Sequence, residues 1–202
     1  AGADLACHLQ SEIQGLVATY ETLKAHAGKL DFVDLLIRTR NLLRDDNDVR
    51  HFMQKRFTHI FVDEFQDTDP VQAEILLLLA ADDPGQTDWR DVRPVPGKLF
   101  MVGDPKQSIY RFRRADIVMY QGLCRRLQQK GVGMEFLAKS FRAVHPIQQA
   151  VNAAFAPEMT GVDVTGQPAY VPLAEFSSSI AEQPAVIVLP APYPYGSRKL
   201  SN

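Results

Sequence analysis

The sequence has little of several things that would announce a class. Its two cysteines, Cys7 and Cys124, lie far apart with no C-x-x-C, which leaves no disulfide framework and no structural zinc site, and points to a reducing compartment. A cytoplasmic location is the expectation. The longest apolar run, Ile75 to Ala81, has seven residues against the ~20 that a spanning helix needs, and no charged segment precedes an apolar stretch at the N-terminus. No membrane association is expected. Charge of one sign is missing as well, since 22 basic groups stand against 24 acidic ones for a net of −2. A chain so balanced is not a coat for a polyanion, and any nucleic-acid surface on it must be local. The five histidines, His8, His26, His51, His59 and His145, show no ligand spacing with one another or with the cysteines, so they are assigned to structure.

What remains is a globular composition, 46% hydrophobic and 23% charged over 202 residues, enough for one domain or two small ones. Ile13, Leu16, Val17, Tyr20 and Leu23 recur near the helical period, and Gly28 ends that segment. Asp31 can cap a second helix through Leu35, Leu36, Leu42 and Leu43, which stops at a solvated turn, Asp45 to Asp48. Phe57 to Val62 reads as a buried strand closed by Asp63 and Glu64. Asp69, Pro70 and Gln72 supply a capping residue, a proline at the first helical position and a capping-box glutamine, predicting a helix over Val71 to Ala81. A loop with three prolines and four aspartates (residues 82–97) leads to a second strand, Leu99 to Val102. Strand, helix and strand with both acidic ends on one edge predict a βαβ unit in a parallel sheet, whose ligands bind beyond the carboxyl ends of the strands. Further on, the pattern predicts a helix from Asp116 to Lys130, a third strand from Met134 to Leu137 and a helix from Pro146 to Phe155. After Pro157 the chain is rich in Pro, Gly and Ser up to the apolar run Val186 to Leu189.

Three runs carry chemistry. Adjacent acids at a strand end cannot both point the same way, so one of Asp63 and Glu64 can hold a hydrated Mg²⁺ while the other polarises a water. The competing reading is an acidic pair facing solvent. A calcium loop is excluded, because Phe65 stands where an acid is needed and the required glycine is absent. The second run, Gly103 to Arg114, has four basic residues and no acid from Lys106 onward, interleaved with Tyr110 and Phe112. Cations for phosphates and ring faces for bases are the chemistry of a single-strand track; a basic turn with its rings tucked into the core fits the composition as well. Gln107, between the acidic strand end and the rings, is suited to feel a terminal phosphate. In the third run, Ser140-Phe141-Arg142, the arginine can stabilise transferred-phosphate charge, or act as a surface ion-pair partner.

In this order and spacing the three runs resemble the consecutive motor motifs of the UvrD/Rep-like superfamily 1 DNA helicases. More narrowly, Leu30 to Leu36 (LDFVDLL), VDEFQDTDPVQ from Val62 and GDPKQSIYRFR from Gly103 are similar to the helicase subunits of exonuclease V and AddAB-type recombination nucleases, over about Tyr20 to Phe155. The resemblance implies an α/β fold, part of a RecA-like P-loop NTPase motor domain with a parallel sheet, preceded by a helical segment. It divides the chain into a helical lead-in (1–56), the C-terminal part of the motor domain (57–156), and a linker with the start of a second motor domain (157–202). It implies ATP and Mg²⁺ as cofactors, with Asp63 on the metal, Glu64 activating the attacking water, and Gln107 and Arg142 on the γ-phosphate. Tyr110, Phe112 and Arg113 would touch single-stranded DNA, and Gln66 would couple the hydrolytic strand to that track. The implied partners are single-stranded and duplex DNA and a second nuclease or helicase subunit; the implied setting is DNA repair or recombination.

The departures count too. The run G-x-x-x-x-G-K-[ST], whose amides cradle phosphates, is absent, so the chain is expected to be an internal segment without ATPase activity of its own. Arg114 stands where relatives commonly have glycine, and Ser140 and Ala143 where Asn and Ser are usual. Two other classes compete: a module that binds single strands or a protein without hydrolysis, and a metal nuclease built on Asp63, Glu64, Asp67 and Asp69.

Overall fold

Local capping sets most of the element boundaries in the computed structural model, which describes residues 2–162, 167–179 and 182–189. The chain divides into two compact units, one of Ala1–Asp104 with Ser108–Val132, the other of Pro105–Gln107 with Gly133–Asn202.

The first unit opens with helix α1 (Gly2–His26), whose Leu5, Leu9, Ile13 and Leu16 remain exposed. Helix α2 (Phe32–Asp45) begins with a capping box. The Asp31 side chain accepts from the Asp34 amide and the Asp34 side chain from the Asp31 amide, both at 2.9 Å. Lys24 ties α1 to this cap, donating to Glu21, Asp31 and Asp34 at 2.8, 3.0 and 2.8 Å. Those three acids are the one group of three or more among the described residues close enough to hold a metal, and the Lys24 ammonium already engages all of them.

The acidic cluster at 45–48 is not the expected free turn, for Asp45 ends one helix, Asn47 and Asp48 begin the next, and Asp46 alone stands between them. Asp46 ends α2 by donating its amide to the Leu42 carbonyl, and starts α3 (Asn47–Arg56) by accepting the Val49 amide at 2.9 Å. The sequence pattern hid α3 because the helix carries few apolar residues. It is held instead by polar anchors: Gln54 donates to the Leu78 carbonyl (2.8 Å), and Arg50, fully buried, donates to the carbonyls of Pro84 and Gln86 and to Asn47. Desolvation lowers the pKa of the Arg50 guanidinium. The long loop that follows α4 is thereby pinned to α3.

Strand β1 (Ile60–Val62) is shorter than the run that predicts it and pairs in parallel with β2 (Leu99–Met101), Ile60 opposite Leu99 and Val62 opposite Met101. Between them lies α4 (Pro70–Ala80). Asp69 accepts the amides of Val71 and Gln72 at 2.7 and 3.0 Å, Gln72 returns the bond to the Asp69 amide, and Pro70 occupies the first turn. Helix α5 (Ile117–Gln129) is capped by Asp116 and ends before Gly131, left-handed at φ 87°. The core joins Leu43 of α2, Phe65, Ala73, Leu77 and Leu78 of α4, Val92 of the loop, and Leu123 and Leu127 of α5. Fully burying one such side chain contributes about 1.5–3 kcal/mol.

In the second unit the predicted strand over Met134 to Leu137 is absent. Phe136 and Leu137 are 79% and 86% exposed, and β3 forms later, at Lys139–Val144. Its position is decided by β6 (Ala174–Ser177), which pairs with it in parallel, Lys139 opposite Ala174, with a register shift between Ser140 and Val144. Arg142 therefore lies inside an irregular strand and not after one. Helix α6 (His145–Phe155) follows directly, and β4 (Thr160–Val162) pairs antiparallel with β5 (Gln167–Ala169).

Candidate functional site

The chemistry of the first unit gathers where β1 and β2 end. The Val102 amide donates to the Val62 carbonyl and the Phe65 amide to the Val102 carbonyl, at 2.8 and 2.9 Å. Between these bonds the chain turns sharply at Glu64, in the left-handed region at φ 51°, ψ 41°, a conformation that costs an L-residue of order 1–3 kcal/mol and persists only where surroundings enforce it. The turn aims the two acids differently. Asp63 accepts the Glu64 amide on Oδ1 at 3.0 Å, while Glu64 accepts from the Gln66 side-chain amide on Oε2 at 2.6 Å.

Gln66 is 1% exposed and spends its whole amide on this corner. Its Nε2 donates to Glu64, its Oε1 accepts the Asp104 amide at 3.0 Å, and its backbone carbonyl accepts the Ser108 hydroxyl at 3.2 Å. Glycine at 103 permits the approach, because a Cβ there would stand 3.0 Å from Gln66 Oε1 and 3.2 Å from the Gln66 backbone nitrogen. Phe65, buried, packs its ring against Tyr120 of α5 at 5.6 Å. Burial pushes the Tyr120 hydroxyl up to about 12.

Over this corner opens a cavity of about 400 Å³ lined by Leu36, Val62, Asp63, Glu64, Asp67, Thr68, Gln72, Ile75 and Leu76. Its polar groups offer oxygen ligands and a neutral amide, the donor set of a hard cation. Asp63, Glu64 and Asp67 do not converge into a three-carboxylate cage. That fits Mg²⁺, which takes one or two carboxylates and keeps the rest of its shell for water or phosphate. The nuclease reading loses its fourth acid, since Asp69 is committed to capping α4. Sequence reasoning did not place Thr68 and Gln72 at this cavity; Gln72 was legible only as a capping residue. One Asp67 oxygen is buried without a hydrogen-bond partner among the described residues.

Farther along, the rings of Tyr110 and Phe112 lie 5.8 Å apart, and the Arg113 guanidinium stands over both, at 5.4 and 5.6 Å. Phe112 is 78% exposed, so this ring is not tucked into the core and the turn presents ring and cation together to solvent. The turn, Arg111–Arg113, closes through Arg114 at φ 69°, ψ 8°.

The remaining two candidates belong to the second unit. Gln107 is exposed at the end of a short turn, Pro105–Gln107, beside Lys106, whose ammonium stands 6.0 Å from the Tyr170 ring. Arg142 is exposed on β3, where Ser140 Oγ accepts the Ala143 amide at 3.3 Å and the Ser177 hydroxyl donates to the Phe141 carbonyl at 2.9 Å. These bonds close the strand irregularity and fix the backbone that carries Arg142.

No described helix is long and apolar enough to cross a membrane. The chain is 35% identical over 147 residues to an ATP-dependent helicase/nuclease subunit from Exiguobacterium sibiricum, covering 71% of this chain and 12% of that protein. It is 38% identical over 138 residues to the like-named protein from Listeria welshimeri (65% of this chain, 10% of that one). With a probable DNA helicase II homolog of Mycoplasma genitalium it shares 40% identity over 107 residues, 53% of this chain and 13% of that protein. The chain thus spans about an eighth or less of these relatives. The profile of the UvrD/REP helicase N-terminal domain matches residues 6–128, more than half of the sequence and all of the acidic corner and ring-bearing turn. On that match the chain belongs to the UvrD/REP helicase N-terminal domain family.

Proposed function

We propose that this chain supplies the hydrolytic acids and the single-strand track of an ATP-driven DNA helicase acting in repair or recombination in the cytoplasm. Asp63 takes the Mg²⁺ of the nucleotide, Glu64 orients and deprotonates the attacking water, and Gln107 and Arg142 act on the γ-phosphate. Tyr110, Phe112 and Arg113 hold bases and backbone of single-stranded DNA at the edge of a duplex. Gln66 couples the two, because one buried amide bonds both the Glu64 carboxylate and the backbone that opens the Gly103–Arg114 run. When bound, Mg-ATP supplies the phosphoanhydride whose cleavage drives movement. The division into residues 1–56, 57–156 and 157–202 goes with this reading, and so does partnership with a second nuclease or helicase subunit.

The observation that carries the proposal is the pairing of an open acidic cavity with a buried amide leading out of it toward exposed rings. A binding module without hydrolysis has no use for a strained glutamate in that cavity. The test is Glu64→Gln in the full-length protein. DNA-stimulated ATP turnover should fall ~10²–10⁴-fold, the usual contribution of a positioned base, with single-strand affinity kept. Turnover within a few-fold of the parent overturns the assignment. The 202-residue chain alone, without a phosphate-loop run, should show no Mg²⁺-dependent ATPase activity.

A further inference from the structure

Arg114 is the position in the ring-bearing turn that backbone chemistry disfavours most. At φ 69° it sits in the left-handed region, where an L side chain is strained and glycine is free. Its side chain is exposed and, among the described residues, has no hydrogen bond or ion pair to offset that strain. The acid nearest along the chain, Asp116, is occupied in capping α5, accepting the amides of Val118 and Met119 at 2.9 and 3.0 Å. Its neighbour Arg113 differs in being held against the rings of Tyr110 and Phe112. Arg114 thus offers an uncommitted guanidinium beside a stack of ring and cation, on a backbone that folding alone would give to glycine. The left-handed backbone serves the turn, since the Arg114 amide bonds the Arg111 carbonyl at 3.1 Å, but glycine would serve it at less cost, and the guanidinium that takes glycine's place points to function.

We infer that Arg114 is a further binding residue, contacting a phosphate of single-stranded nucleic acid whose bases stack on Tyr110 and Phe112. The inference rests on the proposed reading of those rings as a single-strand track. A guanidinium presents paired donors to phosphate oxygens, and each phosphate neutralised on a single strand adds ~0.7 to the slope of log affinity against log salt. The contact would be missing from any relative with glycine there, so it sets how strongly this protein, as against such a relative, holds the strand backbone without reading its sequence.

The test uses the full-length protein and a fluorescent oligothymidylate, with affinity measured from 50 to 200 mM salt. Arg114→Gly and Arg114→Gln should each lose ~0.7 from the salt slope, so that over this fourfold range they lose roughly 2.6-fold less affinity than the parent. Arg114→Lys should keep the parental slope. A parental slope in Arg114→Gln overturns the inference; so does a loss confined to Arg114→Gly, which would assign the effect to the backbone and not to the charge. Phe112→Ala separates the two levels. Unchanged oligothymidylate affinity in that variant removes the track itself, whereas weakened binding beside a parental slope in Arg114→Gln removes only the Arg114 contact. A guanidinium reserved for an acidic protein partner would give that second result.

Discussion

Two corners of the first unit hold a non-glycine residue in the left-handed region, and they hold it by different means. At the end of β1, Glu64 is fixed from inside: Gln66, buried beneath it, bonds its carboxylate, and the β2 end closes around both. At the ring-bearing turn, Arg114 follows a stretch fixed from outside, where an exposed guanidinium lies over two rings and backbone bonds such as the Arg114 amide to the Arg111 carbonyl complete the turn. The first corner is integral to the core; the second is a surface module attached to it. A rigid acid and an adaptable strand-facing surface are what the proposed division of labour requires, since hydrolysis needs fixed geometry and a track must release each base it binds.

The largest effect that can break this contrast is on binding and stability together. Phe112→Ala should weaken single-strand binding by about 1–3 kcal/mol, the loss of one stacked base, yet leave hydrogen-exchange protection in β1 and β2 within about 0.5 kcal/mol of the parent. Gln66→Leu should do the reverse. With the Asp104 amide left without its acceptor, protection at the β1 and β2 ends should drop by about 1–3 kcal/mol, and ATP turnover should fall with it, while oligothymidylate affinity changes little. If Phe112→Ala lowers protection at the strands, the turn is part of the core and the contrast fails.

A smaller effect sharpens the comparison. Replacing a strained residue by glycine relieves roughly 1 kcal/mol where nothing else is lost. Arg114→Gly should realise that gain as slower amide exchange at the start of α5. Glu64→Gly loses the Gln66 hydrogen bond, worth about 1.5–3 kcal/mol for a charged acceptor and less where solvent reaches it, so it should show no gain. Equal stabilisation by the two substitutions would mean that Gln66 does not hold Glu64 in place.

The same contrast explains what was legible in the sequence. Asp69, Pro70 and Gln72 mark the start of α4, and Asp116 the start of α5, because capping is settled within four residues. The acids at the β1 end were legible because a short β-branched run stops abruptly there. The Gln66 bond to Asp104 spans 38 positions and has no local signature, so its residue could be named from a family resemblance but its partner could not. Strand β3 was misplaced for a related reason. Phe136 and Leu137 have the apolar character of a strand, yet pairing falls to Lys139–Val144 because β6, much later in the chain, meets it there. Arg114 was legible as a departure from the usual glycine; the left-handed backbone gives that departure its physical meaning.

The smallest effect concerns a third arrangement, neither buried amide nor ring stack, in which half-buried charges join α1 to α2. The Asp31 carboxyl is lowered to about 2 by the Asp34 amide it accepts, with the Lys24 ammonium adding to the effect. A carboxylate depressed in the folded state stabilises above its ordinary pKa and loses that contribution as pH falls through the folded value. The junction should therefore loosen between pH about 4 and about 2, seen as faster amide exchange over residues 20–36 after correction for the intrinsic rate. Asp31→Asn keeps a capping side chain but has no proton to gain, so its exchange should lose part of that window, the remainder belonging to Asp34, whose carboxyl the Lys24 ammonium also lowers. High salt should mimic the acid effect in part through the Lys24 contacts, and should change the Gln66 corner less, because the amide that holds it is neutral and buried and pairs no two opposite charges. A corner at Gln66 that weakened with salt as much as the α1–α2 junction would show that the two are held by the same kind of force.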